Sequence, residues 1–181
     1  GIVIETGGNP TIKGNKIRNC TTSGIFVLDE GKGLVVGNEI FENQNAGIEV
    51  KTGGDPTIQG NKIHSCRDSG IHVYENGLGL IEGNDIFKNG LTGIEIKTGG
   101  NPKVKSNTLR QNLYEGIWVY TEGRGTFQGN TFSDNKRGPW NIDDGCIVNK
   151  LLTEEERLRL EEEQRIAEEK RKQEAKRRLE E

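Results

Sequence analysis

The sequence matches itself when it is shifted by 23 residues. Gly-Ile recurs at Gly1, Gly24, Gly47, Gly70, Gly93 and Gly116 without an insertion. Gly-Asn keeps the same interval at Gly14, Gly37, Gly60, Gly83 and Gly129, with Ser106-Asn107 as the variant. A short fixed period means that each repeat is one structural coil that cannot bury its own apolar face, so neighbouring coils must stack to make the core. A finer order of 46 residues is superposed: Thr6-Gly7-Gly8-Asn9-Pro10 returns as Thr52-Gly53-Gly54-Asp55-Pro56 and as Thr98-Gly99-Gly100-Asn101-Pro102. Two kinds of coil alternate along one stack.

Alternation within a coil sets the strands. In Gly24-Ile25-Phe26-Val27-Leu28, Ile25 and Val27 face inward while Phe26 and Leu28 face out. Superposing the repeats gives four inward columns, which begin at Ile2, Ile4, Ile12 and Ile17 and are dominated by β-branched residues. Three short strands per coil, with Gly- and Asn-rich corners, predict an all-β fold. That fold is a right-handed parallel β-helix, a solenoid of about six 23-residue coils over residues 1–148. Asn15, Asn38, Asn61, Asn84, Asn107 and Asn130 hold one position in every coil and are expected to form a structural ladder, tolerating left-handed backbone angles and bonding amide to amide. A second polar column reads Cys20, Asn43, Cys66, Asn89, Asn112 and Asn135. Trp140 falls where the next coil should begin and is expected to cap the last one, within a cap at about residues 139–148. Asp143-Asp144-Gly145 is expected to turn the chain away.

All 26 glycines and all four prolines precede Leu151. Residues 151–181 predict an extended charged α-helix opened by a capping box, Thr153-Glu154-Glu155-Glu156. Glu155–Arg159, Glu161–Arg165, Glu168–Lys172 and Glu174–Arg178 have the favourable four-residue spacing. Leu158, Leu160, Ile166, Ala167 and Leu179 form a thin apolar stripe, a candidate contact for a partner helix.

Charge and cysteines narrow the partners. A net charge of −3 lacks the basic excess that nucleic acid needs, and no apolar run approaches a membrane span. No Cys-x-x-Cys occurs and there are two His, so neither a metal nor a cofactor is expected. Cys20 and Cys66 share a column two coils apart, about 9.5 Å by strand spacing, beyond the roughly 7 Å that a disulfide spans. Free thiols point to a reducing, cytoplasmic setting, with nuclear and ciliary ones beside it.

Gly70-Ile71-His72-Val73-Tyr74, running to Gly79-Leu80-Ile81-Glu82-Gly83-Asn84-Asp85-Ile86-Phe87, resembles the repeat of the CASH or NosD-like β-helix proteins. It is closest to the β-helix of the F-box-only proteins that recruit substrates to a cullin ubiquitin ligase, and Lys97-Thr98-Gly99-Gly100-Asn101-Pro102 carries the same likeness. The resemblance covers residues 1–148 and implies substrate recognition, although neither an F-box nor a zinc module occurs in this chain.

The outer face of the Gly-Ile strands is the candidate functional wall. Its rungs read Val3/Glu5, Phe26/Leu28, Glu49/Lys51, His72/Tyr74, Glu95/Lys97 and Trp118/Tyr120. Phe26, Leu28, His72, Tyr74, Trp118 and Tyr120 are expected to bind protein, since exposed aromatics are enriched at interface hot spots. Glu49 and Glu95, two rungs apart, are the weak candidates for catalysis, about 9.5 Å from each other, near the upper separation for inverting glycoside hydrolysis. The acids recur with the repeat, and each has a Lys two residues on, which offers a structural ion pair instead. The preferred expectation is therefore a non-catalytic scaffold that binds protein through this wall and the C-terminal helix. A carbohydrate-binding or polysaccharide-cleaving module is the first alternative, and an architectural part of a cytoskeletal or ciliary assembly the second.

Overall fold

A computed structural model describes residues 1–180, with side chains to Ala175. Three strands per coil build three parallel sheets. The first sheet takes the Gly-Ile strands Ile2–Ile4, Ile25–Val27, Ile48–Val50, Ile71–Val73, Ile94–Ile96 and Ile117–Val119, and ends on Trp140–Ile142. The second runs from Thr11–Lys13 through Leu34–Val36, Thr57–Gln59, Leu80–Glu82, Lys103–Lys105 and Arg124–Gln128 to Ile147–Leu151. The third runs from Lys16–Arg18 to Thr131–Ser133. The register is one full repeat throughout: Ile48 pairs with Ile71, Ile71 with Ile94, and Ile94 with Ile117. This is the right-handed parallel β-helix that the sequence predicts, with a seventh partial coil.

The interior is a stack of aliphatic side chains. Ile25, Ile48, Ile71, Ile94 and Ile117 are fully buried, as are Val27, Val50, Val73, Ile96 and Val119 beside them. The glycine ahead of each of these strands is a matter of space. A Cβ at Gly70 would lie 2.5 Å from Ile86 Cγ2 and 2.7 Å from the Gly93 carbonyl oxygen.

The asparagine column is buried and internally satisfied. Asn61 Nδ2 donates to the Val35 carbonyl at 2.9 Å and to Asn84 Oδ1 at 3.0 Å, while its own Oδ1 accepts from Asn38 N at 2.9 Å and Asn38 Nδ2 at 3.0 Å. The left-handed backbone, however, belongs to the residue before it. Gly60 has φ +61° and Ser106, at the variant position, has φ +53°. The ladder thus needs Asn for its amide, which satisfies a corner carbonyl and the next coil together. The second column repeats the device at Asn89 and Asn112, joined at 3.0 Å, and weakens where Asn43 meets Cys66 Sγ at 3.8 Å.

Trp140 continues the first inward column beside Ile117. Its ring meets Phe127 edge-on at 5.0 Å and Phe132 at 5.1 Å, and the Lys150 ammonium lies 4.1 Å from its centre. The chain does not turn away at Asp143-Asp144-Gly145. Asp143 N bonds to the Val119 carbonyl and Ile147 N to the Gly123 carbonyl, so this segment is one more corner that leads into a seventh strand of the second sheet.

The compact units are Gly1–Lys150 and Leu151–Glu181. In the second, Glu154–Glu180 is helical, and the capping box closes reciprocally: Thr153 N donates to Glu156 Oε2 and Glu156 N to Thr153 Oγ1. Of the expected ion pairs, Glu168–Lys172 forms at 2.7 Å. Arg159 turns to Glu163, and Arg165 to Glu162 at i,i+3, which displaces the pairs Glu155–Arg159 and Glu161–Arg165. Glu174–Arg178 and Leu179 lie outside the described side chains. Leu158, Leu160, Ile166 and Ala167 are exposed, as is every described side chain from Glu154 onward.

Truncating the middle of the ladder should cost more than truncating its end. Asn61→Ala strips a partner from the Asn38 amide and the Val35 carbonyl and should lower stability by roughly 2–4 kcal/mol. Asn15→Ala, at an exposed position, should cost under about 1 kcal/mol. Urea unfolding of the two variants checks this, and equal losses would contradict it.

Candidate functional site

The register places the middle residue of each Gly-Ile strand in one outward row, with Phe26, Glu49, His72, Glu95, Trp118 and Asn141 on successive rungs. The residues two positions on form a second row. Pleating sets both rows on the outer face, so the predicted aromatic residues and the two candidate acids do share one wall. Phe26, Leu28, His72, Tyr74, Trp118 and Tyr120 are half-buried rather than protruding. Within a rung the rings stack, His72 on Tyr74 at 4.4 Å and Trp118 on Tyr120 at 4.2 Å.

The two acids sit in matching frames. Tyr74 Oη donates to Glu49 Oε2 at 2.8 Å and Ser23 Oγ donates to Glu49 Oε1. Tyr120 Oη donates to Glu95 Oε1 at 2.5 Å and Ser69 Oγ donates to Glu95 Oε2 at 2.6 Å. Thr92 extends the second frame, 2.9 Å from Ser69 Oγ. Lys97 lies 3.6 Å from Glu95, as its spacing implies, but Lys51 pairs with Glu75 at 3.5 Å instead of Glu49. The lysine can reach the corner of the next coil, and Glu49 is already satisfied.

Charge follows from these contacts. Burial alone would raise the Glu95 carboxyl, but His72, the Ser69 and Tyr120 hydroxyls and Lys97 hold it below the ordinary carboxylate value. Burial and then the adjoining carboxylates push the Tyr74 and Tyr120 phenols upward, so both stay protonated. Burial lowers His72, against the opposing pull of Glu95, Glu49 and Asp68 and with Lys97 reinforcing it. His72 Nε2 is buried with no hydrogen-bond partner, and the nearest carboxylate oxygen, Glu95 Oε1, is 3.7 Å away. The wall therefore holds a neutral imidazole whose Nε2 is unpartnered and shielded from solvent, flanked by two carboxylates, two phenols and a lysine.

Several participants escape a reading of single columns. Ser23, Ser69 and Thr92 precede their strands, and only the offsets of 26 and 25 residues to the acids reveal that serine and tyrosine converge from opposite neighbouring rungs. Glu115, one rung beyond Thr92 in the same column, is buried with Oε2 unpartnered. The third sheet carries its own stack, Phe41–His64–Phe87 at 5.1 and 4.7 Å, closed by Arg110 at 4.0 Å from Phe87. The cysteines are free, and burial pushes the Cys66 thiol up, away from nucleophilic use. Among the described residues no cluster of three or more His, Cys, Asp or Glu could hold a metal ion, and no helix is long and apolar enough to cross a membrane.

A family model described as a right handed beta helix region matches residues 1–151. Among solved structures the chain is similar to the periplasmic alginate epimerase AlgG, at TM-score 0.76 and 18% identity, over 84% of this chain and 42% of that one. It is also similar to the A-module of the Azotobacter vinelandii mannuronan C-5 epimerase AlgE4, at TM-score 0.71 and 17% identity, over 84% and 48%. The corresponding module of AlgE6 gives 0.58 and 14%, over 79% and 57%. At these identities the likeness shows the fold, and the chain spans less than half the length of the first two. No curated protein sequence matches it.

These findings correct two expectations. The solved structures named above are enzymes named for a polysaccharide. Against these findings the reading as a non-catalytic, protein-binding scaffold of ubiquitin-ligase type does not stand, and the expectation of no enzymatic activity falls with it. The match supports the β-helix; it does not extend to the CASH or NosD-like branch or to the F-box-only proteins.

The pH dependence of stability should report His72. Because the folded imidazole is held below its ordinary 6.5, the unfolded chain binds more protons as the pH falls, and stability must decline below about pH 7. Glu95, held below 4.5, adds a further loss at lower pH. The urea midpoint should therefore drop between pH 7.5 and 5.5 in the parent chain and stay nearly level in His72→Gln. A decline of the same size in the variant would show that His72 is not its source.

Proposed function

The chain belongs to the right-handed β-helix family, and from that premise we propose that the outer wall of its first sheet binds a polysaccharide and performs proton transfer on it, with His72 as general base. The observation that carries this is the buried, unpartnered, neutral Nε2 of His72, set between two acids whose oxygens are all hydrogen-bonded. A polar atom without a partner costs stability, and a perturbed imidazole in such a setting is a candidate for function.

The reaction class follows from the groups around it. Removing a proton from the carbon next to a sugar carboxylate needs an unprotonated base and a cation to stabilise the enediolate that forms. His72 Nε2 takes the proton, the C–H electron pair moves into the carboxylate, and Lys97 offsets the added negative charge. Return of a proton to that carbon restores the carboxylate. The protonated Tyr74 and Tyr120 offer the aromatic surface on which a sugar ring can lie.

Hydrolysis fits less well. It requires a carboxylic acid kept protonated to release the leaving group, whereas Glu95 is held ionised. Both oxygens of Glu49 and of Glu95 already accept hydrogen bonds. The acids act as the frame of the wall.

The test is incubation with polymannuronate and with hyaluronan in deuterium oxide, following the proton beside the carboxylate by NMR. The parent chain should exchange it, and His72→Gln should slow exchange by about 100-fold or more while binding and circular dichroism persist. Unchanged exchange in the variant removes His72 from the role. Absence of binding to any acidic or neutral polysaccharide removes the proposal.

A further inference from the structure

The lysines of this wall are spaced and held in a particular way. Lys51 Nζ lies 5.6 Å from the Phe26 ring centre and 5.7 Å from that of Tyr74. Lys97 Nζ lies 5.9 Å from Tyr74 and 5.5 Å from Tyr120. Phe26, Lys51, Tyr74, Lys97 and Tyr120 thus make one alternating ladder in which each ammonium rests between two rings by cation–π attraction. Both lysines are well packed, with 27% and 30% of their side chains exposed. Because they follow the 46-residue order, the two cations stand two rungs apart, about 9.5 Å by strand spacing.

The intervening rung is different in kind. His72 and Tyr74 bring no positive charge there, since His72 is neutral and Tyr74 protonated. In the first row that rung is bracketed by Glu49 and Glu95. Along the wall, charged rungs alternate with uncharged aromatic ones.

Resting on the reading of this wall as a polysaccharide site, we infer that its ligand is an alternating acidic polysaccharide, with one anionic group for every two sugar rings. A pyranose ring in an extended chain advances by a length comparable to one rung. Acidic rings then fall opposite Lys51 and Lys97, the latter with the C–H beside its carboxylate turned toward His72 on the adjacent rung, and neutral rings lay their C–H faces on Tyr74 and the Trp118–Tyr120 pair. A chain charged on every ring would set each second carboxylate over the His72–Tyr74 pair. There it would lose water, gain no cation and face two carboxylates. Lys97 already pairs with Glu95 and Lys51 with the corner residue Glu75, so the wall has no surplus of positive charge to offset that mismatch.

The test compares hyaluronan oligosaccharides, which carry one carboxylate per two rings, with polymannuronate oligosaccharides of equal length, which carry one per ring. Isothermal titration of the full chain at low and at physiological salt reads both. Hyaluronan should bind at least about ten-fold more tightly, one decade in Kd. Lys51→Gln with Lys97→Gln should erase that preference and flatten the salt dependence, while Lys51→Arg with Lys97→Arg keeps both. Circular dichroism confirms that each variant is folded. Equal or tighter binding of polymannuronate overturns the inference and leaves the polysaccharide reading standing, as does a preference that survives loss of both lysines. Binding of neither polymer overturns both.

Discussion

Everything in this fold depends on the exact-length register that joins each coil to the next. One coil contributes a few inward aliphatic side chains and three strands of three residues, far too little to stand alone. Its strands gain hydrogen-bond partners, and its isoleucines gain a dry environment, only when residue i lies over residue i+23. A one-residue slip would turn the inward column outward. The asparagine ladders pin the register independently, because each amide bonds both to the next amide and to a carbonyl at a corner. Aliphatic stacking supplies much of the favourable energy, yet it is nearly indifferent to which isoleucine meets which. The buried amides are not indifferent, since a misplaced one is left unpaired at a cost of several bonds.

The same register turns a sequence period into a surface period. A residue that recurs every 46 positions recurs every second rung, so two classes of coil write a stripe onto the outer wall. The Ser–Glu–Tyr frames around Glu49 and Glu95 are one consequence, and the lysines between aromatic rings are another. Strand spacing fixes the distances within such a stripe, so the wall is rigid on the scale that matters to a polymeric ligand. A groove of loops would have to be organised on binding; this face is already organised by the core beneath it.

The sequence disclosed what the period controls and concealed what rotamers control. The four inward columns, the outward rows and the place of Trp140 in the first column follow from alternation and spacing alone. The role of the ladder asparagines was half visible: the column is plain, but Gly60 and Ser106, rather than the asparagines after them, occupy the left-handed region. Lys51 was unreadable from spacing, because a four-carbon stem can reach either Glu49 or the corner residue Glu75, and only the prior claim of Ser23 and Tyr74 on Glu49 decides between them. The corner after Trp140 is ambiguous in the sequence for a related reason. Asp-Asp-Gly turns the chain whether a coil ends or continues, and the choice is made by the strand edge that the preceding coil leaves open.

Regularity also sharpens what counts as a site. In a repeat protein, a feature present in every coil is explained by stacking, and a feature repeated in a few coils can still be structural. Glu49 and Glu95 belong to that second group. Each accepts a serine and a tyrosine hydroxyl, and the near identity of the two frames argues that they stiffen the wall. His72 stands between the frames, in register with both acids, and has no counterpart on another rung of its row. It shares their burial but not their satisfaction, for its Nε2 is left without a partner. Stability alone would be served better by an apolar ring at this rung, as Phe26 supplies two rungs away, since it leaves no buried polar atom unpaired. An imidazole kept neutral and unpaired at the centre of the stripe is instead what a wall needs if it is to take a proton from a ligand lying across it.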